Sequence, residues 1–147
     1  MKIGLDVLGG DFAPTATIQG AIMAQKELHS SDVIVLIGDR EQILSFLREE
    51  QVDPNLFEIV HAPEAIEMDE QPTKALVNKP NSSISVGFRL LKHNEIDGFC
   101  SAGSTGAMVV GSISSVNLVQ GIIRPSTPAF LPKINGGTSI LIDVGTN

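Results

Sequence analysis

The sequence predicts an α/β sandwich built on a mostly parallel sheet. Two observations carry that reading. Segments with strand character alternate with segments of helical periodicity through short links. The run Val33-Ile34-Val35-Leu36-Ile37 is continuously apolar and rich in β-branched residues, the mark of a strand covered on both faces, as parallel sheets require. The size agrees: 147 residues make one ordinary domain or half of a larger one. A hydrophobic fraction of 42% with 18% charged residues is a globular balance.

In chain order, Lys2 to Val7 reads as the first strand, ended by Gly9-Gly10. Thr15 to His29 reads as a helix with Ile18, Ala21, Ile22 and Leu28 on one face, and Pro14 suits its start. Val33 to Ile37 is the second strand, ended by Gly38. Asp39 followed by Gln42 has the spacing of a capping box for a helix through Glu50, with Ile43, Leu44 and Leu47 as its apolar stripe. Pro54 marks a turn before a third strand, Leu56 to His61. Asn81 or Ser82 caps a helix to His93, with Ile84, Phe88 and Leu91 spaced four and three apart. Asp97 to Ser101 is a fourth strand, Ser104 to about Val119 a helix, and Thr138 to Val144 a last strand after Gly136-Gly137.

Two features depart from this rhythm. Ala62 to Pro80 holds three prolines and reads as a long loop, of the kind that is usually functional or disordered. The sequence also stops at Asp143-Val144-Gly145-Thr146-Asn147, just past a strand, where α/β sheets carry their ligand crevice; the expectation is a chain cut there.

Several classes of function are disfavoured. A net charge of -7, with six Phe and neither Tyr nor Trp, argues against nucleic-acid binding by charge or by stacking. A single cysteine, Cys100, excludes an internal disulfide and a cysteine-built zinc site, and reads as packing within its strand. No signal segment and no membrane-length apolar run is visible, so a soluble cytoplasmic protein is expected.

Three loops carry the chemistry. Ser101-Ala102-Gly103-Ser104-Thr105-Gly106 joins a strand to a helix; its amides and hydroxyls suit an anion at a helix N-terminus, and a plain tight turn is equally open. Gly98 to Thr105 is a near miss of the P-loop in which Ser104 replaces the lysine, which disfavours nucleoside triphosphates. Asp6-Val7-Leu8-Gly9-Gly10-Asp11 joins another strand and helix without a dinucleotide fingerprint; Asp6 sits where a carboxylate can face a cleft, bonding to turn amides is open for both Asp6 and Asp11, and for Asp11 it is the favoured reading. In His61-Ala62-Pro63-Glu64 the imidazole is a candidate general acid or base, with Glu64 to orient it and a place facing the cleft between Gly10 and Ser101; a structural histidine that bonds the loop backbone, or a solvated one, is the commoner case and stays open. His29 and His93 read as helix C-caps, Glu67, Asp69 and Glu70 as a solvated acidic run, and Lys74 and Lys79 as reach for an anionic substrate.

Taken together, these loops resemble one family. Leu5 to Pro14, His61 to Glu64 followed by Ile66 to Glu70, Ser101 to Ala107, and Leu141 to Asn147 are similar to the signatures of the bacterial phosphate acyltransferase of phospholipid synthesis, PlsX. The resemblance spans the chain. It departs mildly at Val7-Leu8, Ser104 and Thr146, and strongly in length, since members continue for about as much again; the chain reads as an N-terminal half. The resemblance implies a three-layer α/β/α fold of the phosphate acetyltransferase and isocitrate dehydrogenase type. It implies transfer of a fatty acyl group from acyl carrier protein to inorganic phosphate, with the product passed to a membrane glycerol-3-phosphate acyltransferase. A homodimer, cytoplasmic and peripherally attached to the membrane, is implied, with no metal and no organic cofactor. The candidate catalytic residues are His61 and Asp6. The candidate phosphate- or substrate-binding residues are Gly9, Gly10, Asp11, Lys74, Ser101, Gly103, Ser104, Thr105, Gly106, Asp143 and Asn147. A phosphate-binding module without catalysis, and a phosphate acetyltransferase using acyl-CoA, are the alternatives.

Overall fold

Strands β1 (Lys2–Asp6), β2 (Val33–Gly38), β3 (Glu58–His61) and β4 (Gly98–Cys100) form one parallel sheet in the order β3-β2-β1-β4. The computed structural model describes residues 1–116, 118–123 and 125–142, so Asp143 and Asn147 lie outside the described residues. Asp6 pairs with Ile37, Gly38 with His61, and Leu5 with Cys100. The chain runs outward from β1 through β2 to β3, then returns to place β4 on the other side of β1. The order therefore reverses at β1, and the loops after β1 and β4 flank the crevice such a reversal creates.

Period-two alternation divides the apolar run of β2 between two cores. Ile34 and Leu36 face helices α1 (Thr15–Gln25) and α2 (Arg40–Glu49), where Ile18, Ala21, Ile43 and Leu47 are buried. Val35 and Ile37 face α4 (Ser83–Lys92), with Val86 and Ile96. Helices α3 (Pro72–Asn78) and α5 (Thr105–Ser115) extend that second layer, burying Ala75 and Ala107 beside Ile84 and Phe88. The result is three layers, helix–sheet–helix. Each fully buried Leu or Ile contributes roughly 1.5–3 kcal/mol.

The caps explain where helices begin. The Asp39 carboxylate accepts from the Gln42 amide at 2.9 Å. Between Asn81 and Ser82 the structure chooses Ser82, whose hydroxyl accepts from the Ser85 amide at 3.3 Å. His93 is the C-cap of α4, whereas His29 lies beyond α1, which ends at Gln25. The helix stops short of the expected His29; beyond Gln25 the chain continues as turns in which the Leu28 amide bonds the Ala24 carbonyl, and Leu28 stays exposed.

Three expectations are corrected. The Ala62–Pro80 segment is not a bare loop: Pro72 opens α3, whose Ala75 is buried against the α4–α5 layer. Glu70 is not merely solvated, nor is Lys79 free for substrate; they pair with one another, and Lys79 also donates to the Ala65 carbonyl at 2.8 Å. The last strand, β6 (Thr138–Ile142), does not join the parallel sheet but pairs antiparallel with β5 (Pro128–Pro132), a strand its terminal prolines conceal. Among the described residues no helix is long and apolar enough to cross a membrane.

Candidate functional site

The site grows from the last residue of β1. Gly4 and Asp6 share the α4 face of the sheet, and the Asp6 side chain is 1% exposed beneath the two loops of the crevice. Its Oδ1 accepts from the Leu8 amide at 3.0 Å, closing its own loop. Its Oδ2 accepts from the Ser101 hydroxyl at 2.7 Å, reaching across to the loop after β4. The same Ser101 oxygen accepts from the Gly103 amide at 3.0 Å. A carboxylate, a hydroxyl and a backbone amide thus form one chain of hydrogen bonds joining the loops.

The glycines make this approach possible. A Cβ on Gly9 would stand 2.8 Å from both the Gly103 nitrogen and the Ser101 Oγ, and closer still to Asp6 Oδ2. A Cβ on Gly103 would stand 3.1 Å from the Gly9 Cα. The loops lie backbone against backbone, which only residues without side chains permit.

Beyond Gly103 the chain enters α5. Ser104 is its N-cap, buried, with its hydroxyl accepting from the Ala107 amide at 3.3 Å. The Ser104 carbonyl takes the Met108 amide as the first helical bond. The Thr105 and Gly106 amides consequently have no partner within the helix, and they lie at its positive end. Helix α3 borders this end: a Cβ on Gly106 would stand 2.6 Å from Pro72 Cγ. Lys74, two residues along α3, is exposed.

Hydrogen-bond accounting revises the expected roles. Ser101 spends its one proton on Asp6, and Gly103 spends its amide on Ser101, so neither donor is available to an anion while the chain of bonds is intact. Asp6 is saturated and buried rather than open to a cleft. Asp11 is exposed and makes no hydrogen bond among the described residues. Gly10 adopts a φ of 106°, the left-handed region.

His61 does not face the gap between Gly10 and Ser101. It ends the edge strand β3, with β2 between it and β1, a separation of roughly two strand spacings or about 10 Å. Its Nδ1 accepts from the Arg40 amide at 3.2 Å, in the first turn of α2. Glu64 does not orient it; Glu64 Oε2 is buried with no hydrogen-bond partner among the described residues. Cys100 is exposed rather than packed, at the edge of a 400 Å³ apolar groove lined by Leu5, Ala16, Gly20, Ala24 and Leu28. Among the described residues no group of three His, Cys, Asp or Glu is placed to hold a metal ion.

Sequence reasoning missed the Asp6–Ser101 bond. The only signal was that two short polar side chains stood beside glycine turns, which gives no partner across 95 residues. Two carboxyl groups elsewhere are shifted. The Lys79 ammonium, then the Glu67 amide, hold Glu70 below its usual carboxylate value. A hydrogen bond from the N-terminal ammonium does the same for Asp32.

A reversal crevice flanked by glycine loops and a helix N-terminus, on a parallel sheet covered by helices on both faces, defines an α/β protein of the helix–sheet–helix class. The EutD phosphotransacetylase from Staphylococcus aureus superposes with a TM-score of 0.66 at 18% identity, over 100% of this chain and 47% of that one. The sequence relationship is narrower: the chain belongs to the family described as fatty acid synthesis protein, matched over residues 1–147. It is 41% identical to the phosphate acyltransferase of Dictyoglomus thermophilum over 147 residues, 42% identical to that of Caldicellulosiruptor saccharolyticus, and 39% identical to that of Magnetococcus marinus. Each match covers 100% of this chain and between 41% and 43% of the relative, so the chain spans less than half the length of these proteins.

Proposed function

We propose that the chain supplies the phosphate-holding part of an acyltransferase that moves a fatty acyl group from acyl carrier protein to inorganic phosphate. The observation that carries this reading is the seating of two glycine loops, Gly9-Gly10 and Gly103, against each other beside the free N-terminus of α5. Phosphate sits at the Thr105 and Gly106 amides, where the helix dipole favours an anion and the Lys74 ammonium adds charge. A phosphate oxygen attacks the thioester carbonyl. The C–O bond forms, the C–S bond breaks, and the departing thiolate takes the proton that phosphate loses. The products are acyl phosphate and the carrier-protein thiol. The amides of Gly9 and Gly10 face the tetrahedral oxyanion as donors. Holding phosphate in line with the carbonyl is the larger contribution, because phosphate is already nucleophilic at neutral pH. The acyl phosphate would pass to a membrane glycerol-3-phosphate acyltransferase, and the working form would be a cytoplasmic homodimer resting on the membrane.

The test is phosphate-dependent release of carrier-protein thiol by the complete gene product, with acyl-CoA as a parallel donor. Release from acyl carrier protein, absent without phosphate, supports the reading. Preference for acyl-CoA would assign a phosphate acetyltransferase. Phosphate binding without release from either donor would leave a binding module.

A further inference from the structure

We propose that Asp6 is the positioning residue of the phosphate cradle: its carboxylate never touches substrate, and it aims the α5 amides by holding the Ser101 hydroxyl and, through it, the Gly103 backbone. The proposal deepens the acyl-transfer reading and rests on it. A carboxylate beneath the loops that border the proposed phosphate site disfavours an anionic ligand. Its presence there, 1% exposed and with both oxygens bonded, needs a compensating role.

The geometry supplies that role. Leu8 and Ser101 belong to loops from adjacent strands, and Asp6 is the atom pair that both loops share. The Ser101 oxygen accepts from Gly103 because its proton is fixed on Asp6. Gly103 immediately precedes the N-cap Ser104, so its amide sets the entry angle of α5 and the direction of the Thr105 and Gly106 amides. A shift of this entry moves both phosphate donors together.

Asp6→Asn keeps the shape and tests the charge. The Leu8 amide can only donate, so the Asn oxygen must face it and the Asn NH2 must face Ser101. Ser101 then accepts twice, and its own proton turns away. The bond between residue 6 and Ser101 is reversed with no heavy atom added, and the Ser101 oxygen, no longer polarised by a carboxylate and now shared between two donors, holds the Gly103 amide more weakly. Ser101→Ala removes the middle of the chain with no change in charge.

In the complete gene product, each single variant is expected to lower kcat/KM for phosphate roughly ten- to hundredfold, as loss of a hydrogen bond to a buried charge does. The loss should appear as a raised KM for phosphate while KM for the acyl donor stays within about twofold; simple loss of folded protein lowers apparent kcat and moves neither KM. Because the two residues act as one unit, the double variant should be no more than about threefold worse than the poorer single. Ser101→Thr, which retains the hydroxyl, should recover most of the loss. Additive single effects, or Asp6→Asn with unchanged or improved phosphate kinetics on folded protein, would overturn the proposal. Amide exchange read by NMR separates this from failure of the acyl-transfer reading. If the wild type transfers no acyl group, that reading falls, and the Gly103 amide still decides for Asp6. Exchange at least about tenfold faster in Asp6→Asn than in wild type supports the bond chain, and equal rates overturn it.

Discussion

Replacing Gly9 by alanine tests the contact between the two loops with one methyl group. Gly9 is not among the positive-φ glycines, so alanine meets no backbone penalty and the cost is steric. The new Cβ would stand 2.8 Å from the Gly103 nitrogen and from Ser101 Oγ, with Asp6 Oδ2 closer. All three are backbone or hydrogen-bonded atoms with little room to retreat. Overpacking of this kind costs about 1–3 kcal/mol, and breaking the Ser101–Asp6 bond costs about 1.5–3 more, so roughly 3–5 kcal/mol is expected. At about 2–4 °C per kcal/mol for a chain of this size, Tm should fall by roughly 10 °C. Gly20→Ala is the control. It lies inside α1 with nothing within 4 Å of its Cβ position, and alanine there should stabilise by about 0.5–1 kcal/mol. Thermal denaturation by circular dichroism reads both. A Gly9→Ala protein melting within about 2 °C of wild type, or two shifts of the same sign, would refute the reasoning.

Other consequences are equally direct. Lys74→Ala should raise KM for phosphate several-fold, with the effect shrinking at high salt, because an exposed charge acts through screened attraction; steady-state kinetics at two ionic strengths checks it. His61→Ala should leave turnover per folded molecule within about threefold and cost about 0.5–1.5 kcal/mol, the worth of one hydrogen bond from the Arg40 amide; parallel rate and melting measurements decide. Acid should weaken the pin between α3 and the loop before it. Glu70 has a folded pKa below its ordinary 4.5, so its contribution is full above that value and lost as pH falls through the lowered one. The Tm difference between wild type and Lys79→Met should therefore narrow below about pH 4.5; a constant difference would contradict the pairing.

The parts of the fold with strong local signals were legible in the sequence. The β2 run, the Asp39 cap and the stripe of Ile43 and Leu47 each announce their state within a few residues. What escaped was set by contacts distant in sequence. Proline-rich stretches hid α3 and β5, since Pro72 opens a helix and Pro128 and Pro132 bound a strand. The strand order placed His61 on the far edge, and no local pattern around residue 61 carries that order. The two glycine loops were visible as candidates, but their hydrogen-bond economy was not. Ser101 reads as a donor to ligand until Asp6 is found to hold its proton.

The central claim is that inorganic phosphate, held at the start of α5, is the acyl acceptor. The most direct measurement incubates the complete gene product with acyl carrier protein thioester and labelled phosphate, then traps the product with hydroxylamine. The account predicts thiol release only when phosphate is present, with label appearing in an acyl phosphate that hydroxylamine converts to the hydroxamate. Thiol release at the same rate without phosphate, or with no label in the acyl product, would contradict it.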